Sequence, residues 1–328
     1  MARFSPKTIQ AFCDIFDIPQ WIVPWLHRFF EPEEIERVLD LTGGKRTSGR
    51  DRAFFTRCYR RGIIGTDDQG KWIPADFHDR FEIWALFEGW QDIPEDVRIR
   101  LNRWEMDFYL SKHRPAIHAA LATGRRDPTY VWPEFVLPNE ALAIIDRVPR
   151  VYQWPCNCRA MMNRCAKPGY VCLRFDNHRD LGWEISKERA GEILKSAHGS
   201  GLMHSAELAL LPDGTIKGAI CNCCSDCCFP QQLGNELSVE AVWPINRYAA
   251  VFSEDRCSTC GRCTKRCPYQ AFALIPGEKN RNRSTDKSIH YDPALCRGCG
   301  LCASACPEGA IEMQSLAPSP LSIVSDLL

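Results

Sequence analysis

The chain has 328 residues, enough for two or three domains that each bury a core of their own. Apolar residues make up 45% of it and charged residues 25%, an ordinary composition for a soluble globular protein. Lysine and arginine together number 41, as do aspartate and glutamate, which excludes a protein that binds polyanions over its whole surface.

The cysteine content separates this chain from an average one. It has 19 cysteines, yet its first residues, MARFSPKTIQ, lack the basic and apolar regions of a signal peptide. Its strongly apolar runs, such as WIVPW at 21–25, are too short to span a bilayer. We therefore expect a cytoplasmic protein without membrane insertion, whose thiolates bind metal rather than pair as disulfides.

Residues 1–90 predict two helices followed by a hairpin. The segment 31–44 has a proline near its start, acidic residues in its first turn and glycines at its end. The segment 48–62 follows with Ser48 as a cap and a glycine as a stop. Residues 63–74 then indicate two strands around a polar turn. This order is similar to that of a winged-helix domain.

In a winged-helix domain the second helix reads DNA, and residues 42–61 contain seven basic residues and one acidic residue. Arg50, Arg57 and Arg60 would then contact phosphates. Alternatively, the domain serves only for docking or dimerisation, with a solvated basic face. The neutral charge of the whole chain favours docking, so nucleic acid is the less favoured partner.

Residues 91–150 are predicted to form a helical connector. The stretch 91–124 indicates a helix that opens at Pro94 and is broken at Pro115. Further prolines punctuate the chain from there to the first cysteine-rich block. The aromatic residues of the connector are predicted to belong to a core rather than to contact a cofactor.

Residues 151–250 contain the first cysteine-rich block. A helix is predicted at 186–199, followed by a hairpin whose turn is Asp213–Gly214. The second strand of that hairpin runs directly into the sequence CNCCSDCC. The nine cysteines of the block are Cys156, Cys158, Cys165, Cys172, Cys221, Cys223, Cys224, Cys227 and Cys228.

Polar residues interleave with these thiols, which argues against simple apolar burial, and so many uncoordinated thiols would be a redox liability. We therefore predict that the block binds metal, with iron–sulfur favoured over zinc. Nine thiols would serve two four-iron clusters with one left over, or one larger or irregular cluster. Arg159 could hydrogen-bond a cluster sulfur or form a salt bridge. His204 could be a ligand or proton donor, although a packed role is favoured.

The second block is an internal duplication. CSTCGRCTKRCP at 257–268 returns as CRGCGLCASACP at 296–307, and each cysteine moves by the same 39 residues. Each copy reads Cys-x2-Cys-x2-Cys-x3-Cys-Pro, in which three thiolates surround one iron–sulfur cube and the fourth reaches the cluster of the other copy. Zinc sites instead group cysteines in two separated pairs. Gly261 and Gly300 allow each loop to approach the sulfides closely.

This pattern resembles that of the bacterial-type two-cluster ferredoxins over residues 250–315. The resemblance implies one [4Fe–4S] cluster on Cys257, Cys260, Cys263 and Cys306. It implies a second [4Fe–4S] cluster on Cys296, Cys299, Cys302 and Cys267. The polar segment 276–288 departs from the family pattern and is predicted to be an inserted surface loop.

The middle block is similar to that of a group of cytoplasmic 4Fe–4S binding proteins from anaerobic bacteria and archaea. They carry CxCR, CLxF, GL-H and CNCC-x-C segments, in that order, ahead of a two-cluster ferredoxin. The counterparts are CNCR at 156–159, CLRF at 172–175, GLMH at 201–204 and CNCCSDCC at 221–228. The group is mostly described as iron–sulfur proteins or oxidoreductases, so the resemblance implies redox chemistry without naming a substrate.

Together these patterns predict an α+β multidomain protein. Its predicted parts are a winged-helix-like domain at 1–90, a helical connector at 91–150, a cysteine-rich α/β iron–sulfur domain at 151–250, a ferredoxin-like domain with two [4Fe–4S] clusters at 251–315, and a flexible tail at 316–328.

The sequence has no Walker loop, no dinucleotide-binding glycine motif and no haem attachment motif, so electrons would be exchanged with another protein. We expect an electron-transfer component of an anaerobic oxidoreductase system. It would pass electrons through the two ferredoxin clusters to or from one or two additional clusters in the middle domain, with a redox protein as partner. One alternative is a reductase with the middle cysteines as its active site. Another is an iron–sulfur redox sensor that controls DNA binding.

Overall fold

The computed structural model describes residues 4–43, 52–90, 92–239, 243–277 and 287–317. The chain divides into two compact units: unit 1 comprises the residues up to 101 together with 177–181, and unit 2 comprises 102–176 and the residues from 182 onward. Ser48, Arg50, most of the predicted surface loop and nearly all of the predicted tail lie outside the described residues.

Unit 1 is mainly helical and includes a short antiparallel hairpin that pairs Ile64 with Pro74. Its helices and strands are α1 (Pro6–Phe16), α2 (Leu26–Phe29), α3 (Pro32–Thr42), α4 (Arg52–Arg60), β1 (Ile64–Thr66), β2 (Trp72–Pro74) and α5 (Phe77–Ile83), and α6 (Glu95–Thr123) begins in it.

Helix α3 begins and ends where the sequence predicts. Pro32 occupies its first turn, Glu31 and Glu34 form a capping box, and Gly43 follows its last residue. Gly62 after α4 has a φ of 71°, the left-handed conformation that glycine adopts without strain. The predicted order of helix, helix and hairpin is present in the described residues. The assignment to the winged-helix fold stays a prediction.

A buried ion network holds the helices of unit 1 together. Arg80 and Glu34 are both fully buried. Arg80 donates to the carbonyl of Phe29 at 2.6 Å and to the Glu88 carboxylate at 2.8 and 2.5 Å. Arg61 pairs with Glu34 at 2.5 Å and with Glu88 at 3.0 Å. Because each buried charge has an opposite charge and hydrogen bonds, the network is compatible with burial.

Helix α6 departs from the prediction at Pro115. The expected break does not occur, since the helix continues through Pro115 to Thr123. A proline removes one backbone hydrogen bond and crowds the preceding turn. Buried Leu110 and Ile117 pack on either side of it and stabilise the continuous helix.

Unit 2 contains a six-stranded antiparallel sheet with the strand order β3-β7-β8-β5-β4-β6 among the described residues. The elements of this part are β3 (Glu134–Val136), α7 (Pro138–Arg147), β4 (Val151–Trp154), α8 (Asn157–Met162), β5 (Cys172–Arg174), β6 (Trp183–Ile185), α9 (Lys187–Gly199), β7 (Met203–Leu210), β8 (Ile216–Cys223) and α10 (Phe229–Leu237). The predicted helix at 186–199 and the predicted hairpin are α9, β7 and β8.

The two faces of this sheet differ in what covers them. Helix α9 packs against β4, β7 and β8, and the ring of its His198 stacks on that of His204. Ile220 lies on the same face as His204, because its register partner Ala206 is two residues along β7. By the same alternation, Cys221 and Cys223 lie on the opposite face. We call that side the cysteine face.

The duplicated segment folds as two intertwined copies. Its elements are β9 (Tyr248–Phe252), α11 (Arg262–Arg266), β10 (Phe272–Pro276), β11 (Lys287–Tyr291), α12 (Leu301–Ala305) and β12 (Ile311–Ser315). The second copy repeats the bounds of the first at the sequence offset of 39 residues. Strand β9 pairs with β12 and β10 pairs with β11, so each pair takes one strand from each copy.

Candidate iron–sulfur and metal centres

Thiols from both copies of the duplication line one cavity. The cysteines in its lining are Cys257, Cys260, Cys263 and Cys306. The first three belong to the first copy and the fourth follows α12 of the second copy. These are the residues that the sequence predicts for the first cluster.

The residues predicted for the second cluster also lie close together. Burial raises the pKa of the Cys302 thiol, and the neighbouring thiols raise it further. These neighbours are Cys299, Cys267 and Cys296. Cys267 directly follows α11 of the first copy, so this group also combines both copies. Cys299 and Cys302 are buried, whereas Cys260 of the other group is exposed.

Backbone N–H groups already point at sulfurs of the first group. The N–H of Thr259 donates to the sulfur of Cys257 at 3.4 Å, and Cys306 accepts another N–H at 3.2 Å. Gly261 and Gly300 have φ angles of 68° and 76° at the start of α11 and α12. A loop of this kind presents N–H groups to a negatively charged ligand. The residues therefore fit anionic iron–sulfur clusters.

The middle cysteines are positioned by strands and by helix starts. Cys172 lies on β5, and Cys221 and Cys223 lie two residues apart on the neighbouring strand β8. Cys156 and Cys228 are the N-cap residues of α8 and α10. The free N–H groups at a helix start favour the thiolate form of cysteine.

Six middle thiols form a closed ring, in which each thiol shifts the pKa of its two neighbours. In order around the six-thiol ring they are Cys156, Cys158, Cys228, Cys223, Cys221 and Cys172, which closes on Cys156. Hydrogen bonds from its two ring neighbours lower the pKa of Cys221 to about 6. The corresponding hydrogen bonds lower the pKa of Cys228 well below its usual value. The pKa values of the other four ring thiols are raised, so Cys221 and Cys228 are the two that ionise most readily, and the thiolate is the form that metals bind.

The remaining three cysteines form a separate and more compact group, the thiol triad. The Sγ atoms of Cys165, Cys224 and Cys227 all lie within 4.8 Å of one another. Within the described part of the chain, no three thiols of the ring are grouped this closely. The nine middle cysteines thus divide into a ring of six and a triad of three, a division that their sequence spacing does not reveal.

Arg159 lies among these thiols without a salt bridge to any described carboxylate. Its guanidinium donates to the carbonyl of Asn222 and at 3.4 Å to the carbonyl of Pro168. Burial opposes its charge, but the thiols of both groups raise its pKa, Cys156 of the ring foremost and Cys224 of the triad among them. The sequence offered two alternatives for Arg159, a hydrogen bond to a cluster sulfur or a salt bridge. In the structure its hydrogen bonds go to backbone carbonyl oxygens, and its positive charge lies close to the thiols.

His204 does not lie on the cysteine face. It is buried, its Nδ1 is 2.6 Å from the side-chain oxygen of Asn222, and its ring stacks on that of His198 beneath α9. Burial lowers its pKa to about 4. The packed role favoured from the sequence agrees with this position.

A carboxyl group and a phenol beside the ring were missed by sequence reasoning. Glu207 of β7 lies on the cysteine face, since it alternates with Met203 and Ser205. Burial and, to a smaller extent, the charge of Cys228 raise its pKa to about 7. Burial and Glu207 raise the pKa of Tyr109. The alternation along the hairpin strand was the signal that could have identified Glu207.

The second group of the duplication and the six-thiol ring share one apolar cluster. Its buried members are Phe135, Met203, Cys223, Cys228, Cys299 and Leu301. Tyr269 packs against it, and its hydroxyl donates to Gln231 at 2.9 Å. Burial raises the pKa of Tyr269, and the nearby Cys299, Cys228 and Cys223 raise it further. Nothing in the spacing of the cysteines indicated that Cys299 and the ring would lie in one cluster.

Two intertwined copies with eight convergent thiols define a class of domain, and a comparison with family models gives the same class. Residues 250–313 match the 4Fe-4S dicluster domain. The chain therefore carries a ferredoxin-type domain for two [4Fe–4S] clusters, and its further cysteines allow additional clusters.

Curated relatives match about a fifth of the chain. The pyruvate synthase subunit PorD of Thermotoga maritima is 36% identical over 73 residues, which are 22% of this chain and 63% of that protein. The NADH-quinone oxidoreductase subunit I 2 of Aquifex aeolicus is 35% identical over 66 residues, 19% of this chain and 32% of that protein. The match thus spans less than two thirds of either relative. Among the described residues, no helix has the length and apolar character needed to cross a membrane.

Proposed function

We propose that the chain is an iron–sulfur electron-transfer component of an anaerobic oxidoreductase system. Electrons pass between a redox partner protein and a further iron–sulfur cluster in the six-thiol ring, by way of the two ferredoxin clusters. The relatives, which are subunits of a pyruvate synthase and of an NADH-quinone oxidoreductase, support a role beside a partner enzyme.

The proposed ligands of the two ferredoxin clusters follow the exchange of the fourth cysteine between copies. The first cluster takes Cys257, Cys260, Cys263 and Cys306. The second cluster takes Cys296, Cys299, Cys302 and Cys267. The cavity shared by the first four thiols supports the first assignment.

One observation carries the electron path from the second cluster to the ring. Cys299 of the second cluster lies in the same buried apolar cluster as Cys223 and Cys228 of the ring. Electron transfer requires close approach of the two centres, and a packed protein interior supplies it without intervening water. The first cluster, whose Cys260 is exposed, is the entry or exit point for the partner.

Unit 1 supports the same role as a winged-helix-like docking module at 1–90. Two arginines considered for phosphate contact are engaged within the unit. Arg57 pairs with Glu31 at 3.3 Å, and Arg60 donates to the carbonyl of Asp180 at 3.0 Å. This favours docking over DNA binding, and the proposed setting of the whole protein is the reducing cytoplasm.

Iron and acid-labile sulfide analysis of anaerobically purified full-length protein tests for the ring cluster. Two [4Fe–4S] clusters contain about eight irons, and we expect an iron content clearly above that number. The electron paramagnetic resonance signal that is lost in Cys223→Ala would identify the ring cluster. A content of about eight irons, unchanged by Cys223→Ala, would contradict the proposal.

Stopped-flow reduction by a reduced low-potential ferredoxin tests the electron path. We expect the ring cluster to be reduced much more slowly in Cys302→Ala, which lacks a ligand of the second cluster, than in the wild type. Cys58→Ala is the control, since Cys58 is a buried cysteine of unit 1. Equal rates in Cys302→Ala and the control would rule out the path.

Ligand exchange between copies is tested by comparing spectra. Cys306→Ala should remove the same signal as Cys257→Ala, and Cys267→Ala the same signal as Cys296→Ala. If Cys306→Ala instead matched Cys296→Ala, each cluster would be held by a single copy.

A further inference from the structure

The thiol triad has the dimensions of a site for a single metal ion. Cys165 Sγ lies 3.7 Å from Cys224 Sγ and 3.7 Å from Cys227 Sγ. Three thiolates around a tetrahedral zinc ion, each with a Zn–S bond of about 2.3 Å, are separated by about 3.8 Å. The observed separations therefore match ligands that share one ion.

The ferredoxin-type thiols in the same structure provide an internal comparison. Ligands of a four-iron cube bind different irons, so their sulfurs must lie farther apart than ligands of a single ion. None of the eight thiols of the duplicated segment belongs to a group of three within 4.8 Å among the described residues. The sulfurs of the triad are therefore closer together than those of the ferredoxin-type groups, as expected for a site with a single metal ion.

A backbone N–H group and a guanidinium lie close to the sulfurs of the triad. The N–H of Cys227 donates to Cys224 Sγ at 3.4 Å, closing a tight Cys-x2-Cys turn. The guanidinium of Arg159 is close enough to Cys224 for the two charges to interact. Three thiolates exceed the charge of a divalent ion by one unit, which the arginine offsets.

One cysteine of the triad is more exposed than the other two. Cys224 and Cys227 are buried, whereas Cys165 is half-buried at the edge of the group. Among the described residues, no fourth histidine, cysteine or carboxylate completes the compact group. Three protein ligands with a vacant fourth position are typical of zinc sites that bind water or a substrate.

We infer that Cys165, Cys224 and Cys227 bind one zinc ion, separate from the iron–sulfur clusters, with a fourth coordination position open to water or another small ligand. The inference goes beyond the proposed electron-transfer function and does not depend on it. It leaves the six-thiol ring, rather than all nine middle cysteines, as the site of the additional cluster.

Metal analysis of full-length, anaerobically purified protein tests the site. We expect about one zinc per chain in the wild type, and loss of that zinc in Cys165→Ser with iron and acid-labile sulfide unchanged. Cys58→Ser is the matched control and should retain both metals. Loss of iron and sulfide together with Cys165→Ser would overturn the inference, because the triad would then belong to an iron–sulfur cluster. Wild-type protein without zinc would overturn it as well.

Zinc-edge X-ray absorption spectroscopy uses only the wild-type protein, so this test does not require any variant to fold. We expect three sulfur neighbours at about 2.3 Å and one lighter neighbour, oxygen or nitrogen. Four sulfur neighbours would contradict an open position. A first shell without sulfur would show that the zinc is bound elsewhere.

Discussion

Single residues decide how closely the second cluster loop approaches the rest of the fold. Gly298 has a φ of 67°, and a Cβ added there would overlap the side-chain oxygen of Asn246 and the carbonyl oxygen of Tyr248. The corresponding residue of the first copy is Thr259, also with a positive φ of 58°. The second loop therefore requires glycine for space as well as for backbone conformation.

We expect Gly298→Ala to lower the free energy of unfolding by about 2–5 kcal/mol, since positive φ costs an alanine about 1–2 kcal/mol and overlap adds about 1–3 kcal/mol. Gly309→Ala is the control, because Gly309 has a φ of 60° and nothing lies within 4 Å of the added Cβ. Gly309→Ala should lose only the part of the unfolding free energy that comes from the positive φ, about 1–2 kcal/mol. Urea unfolding under anaerobic conditions measures both, and equal losses would contradict the prediction.

His113 should make the stability of unit 2 depend on pH. Burial lowers its pKa to about 4 from an ordinary 6.5, and the charge of Lys112 contributes. Between these values the unfolded chain binds a proton that the folded chain does not. This contribution to stability is therefore complete above pH 6.5 and is lost as the pH falls towards 4.

The matched pair His113→Gln and His118→Gln tests this. Both histidines lie on α6, but His118 is exposed. The difference in unfolding free energy between wild type and His113→Gln should change between pH 7 and pH 5.5, in the direction that favours the variant at lower pH. The difference for His118→Gln should change less. A pH-independent difference for His113→Gln would show that the burial of this ring has no such effect.

At the scale of secondary-structure elements, the buried side chain of Arg80 connects several segments of unit 1 by hydrogen bonds. Arg80 of α5 binds the carbonyls of Phe29 and Arg61 and the carboxylate of Glu88. No water is needed to satisfy these groups. Removing the guanidinium leaves the carbonyls of Phe29 and Arg61 without this buried donor, and leaves Arg61 as the charged partner of the Glu88 carboxylate.

We expect Arg80→Met to destabilise unit 1 by about 3–5 kcal/mol, the range found when one partner of a buried ion pair is removed. Arg28→Met is the control, since Arg28 forms a partly exposed pair with Asp92 at 3.4 Å and should cost less than about 1 kcal/mol. Tryptophan fluorescence during urea unfolding measures both. A loss below about 1 kcal/mol for Arg80→Met would contradict the importance of the network.

At the scale of the whole molecule, the candidate metal centres that are built from thiols all lie in unit 2. The cysteines of unit 1, Cys13 and Cys58, are both buried. Burial raises the pKa of Cys58 to about 12, so it behaves as an apolar core residue rather than as a ligand.

Exposure also differs between the two ferredoxin clusters. Cys260 of the first cluster is exposed, whereas Cys299 and Cys302 of the second are buried. We expect air to destroy the first cluster before the second, because oxidation follows solvent access. Spectra recorded during controlled exposure to air, assigned with Cys257→Ala and Cys296→Ala, measure the order. Earlier loss of the second cluster would contradict it.

The sequence by itself determined the ferredoxin-type segment. The ligands of one loop follow each other at fixed short spacing, and the offset of 39 residues identified the second copy and its paired elements. Helix α3 and the hairpin of β7 and β8 were equally predictable, because caps, prolines and turn residues act over a few residues.

Only the tertiary structure decided how the middle cysteines divide and what they meet. Cys165 and Cys224 are 59 residues apart in the chain, and Cys299 is distant from both Cys223 and Cys228. Such contacts depend on strand register and on which face of the sheet the helices cover, as the position of His204 shows. Local spacing contains neither kind of information, because both are set by the packing of segments far apart in sequence.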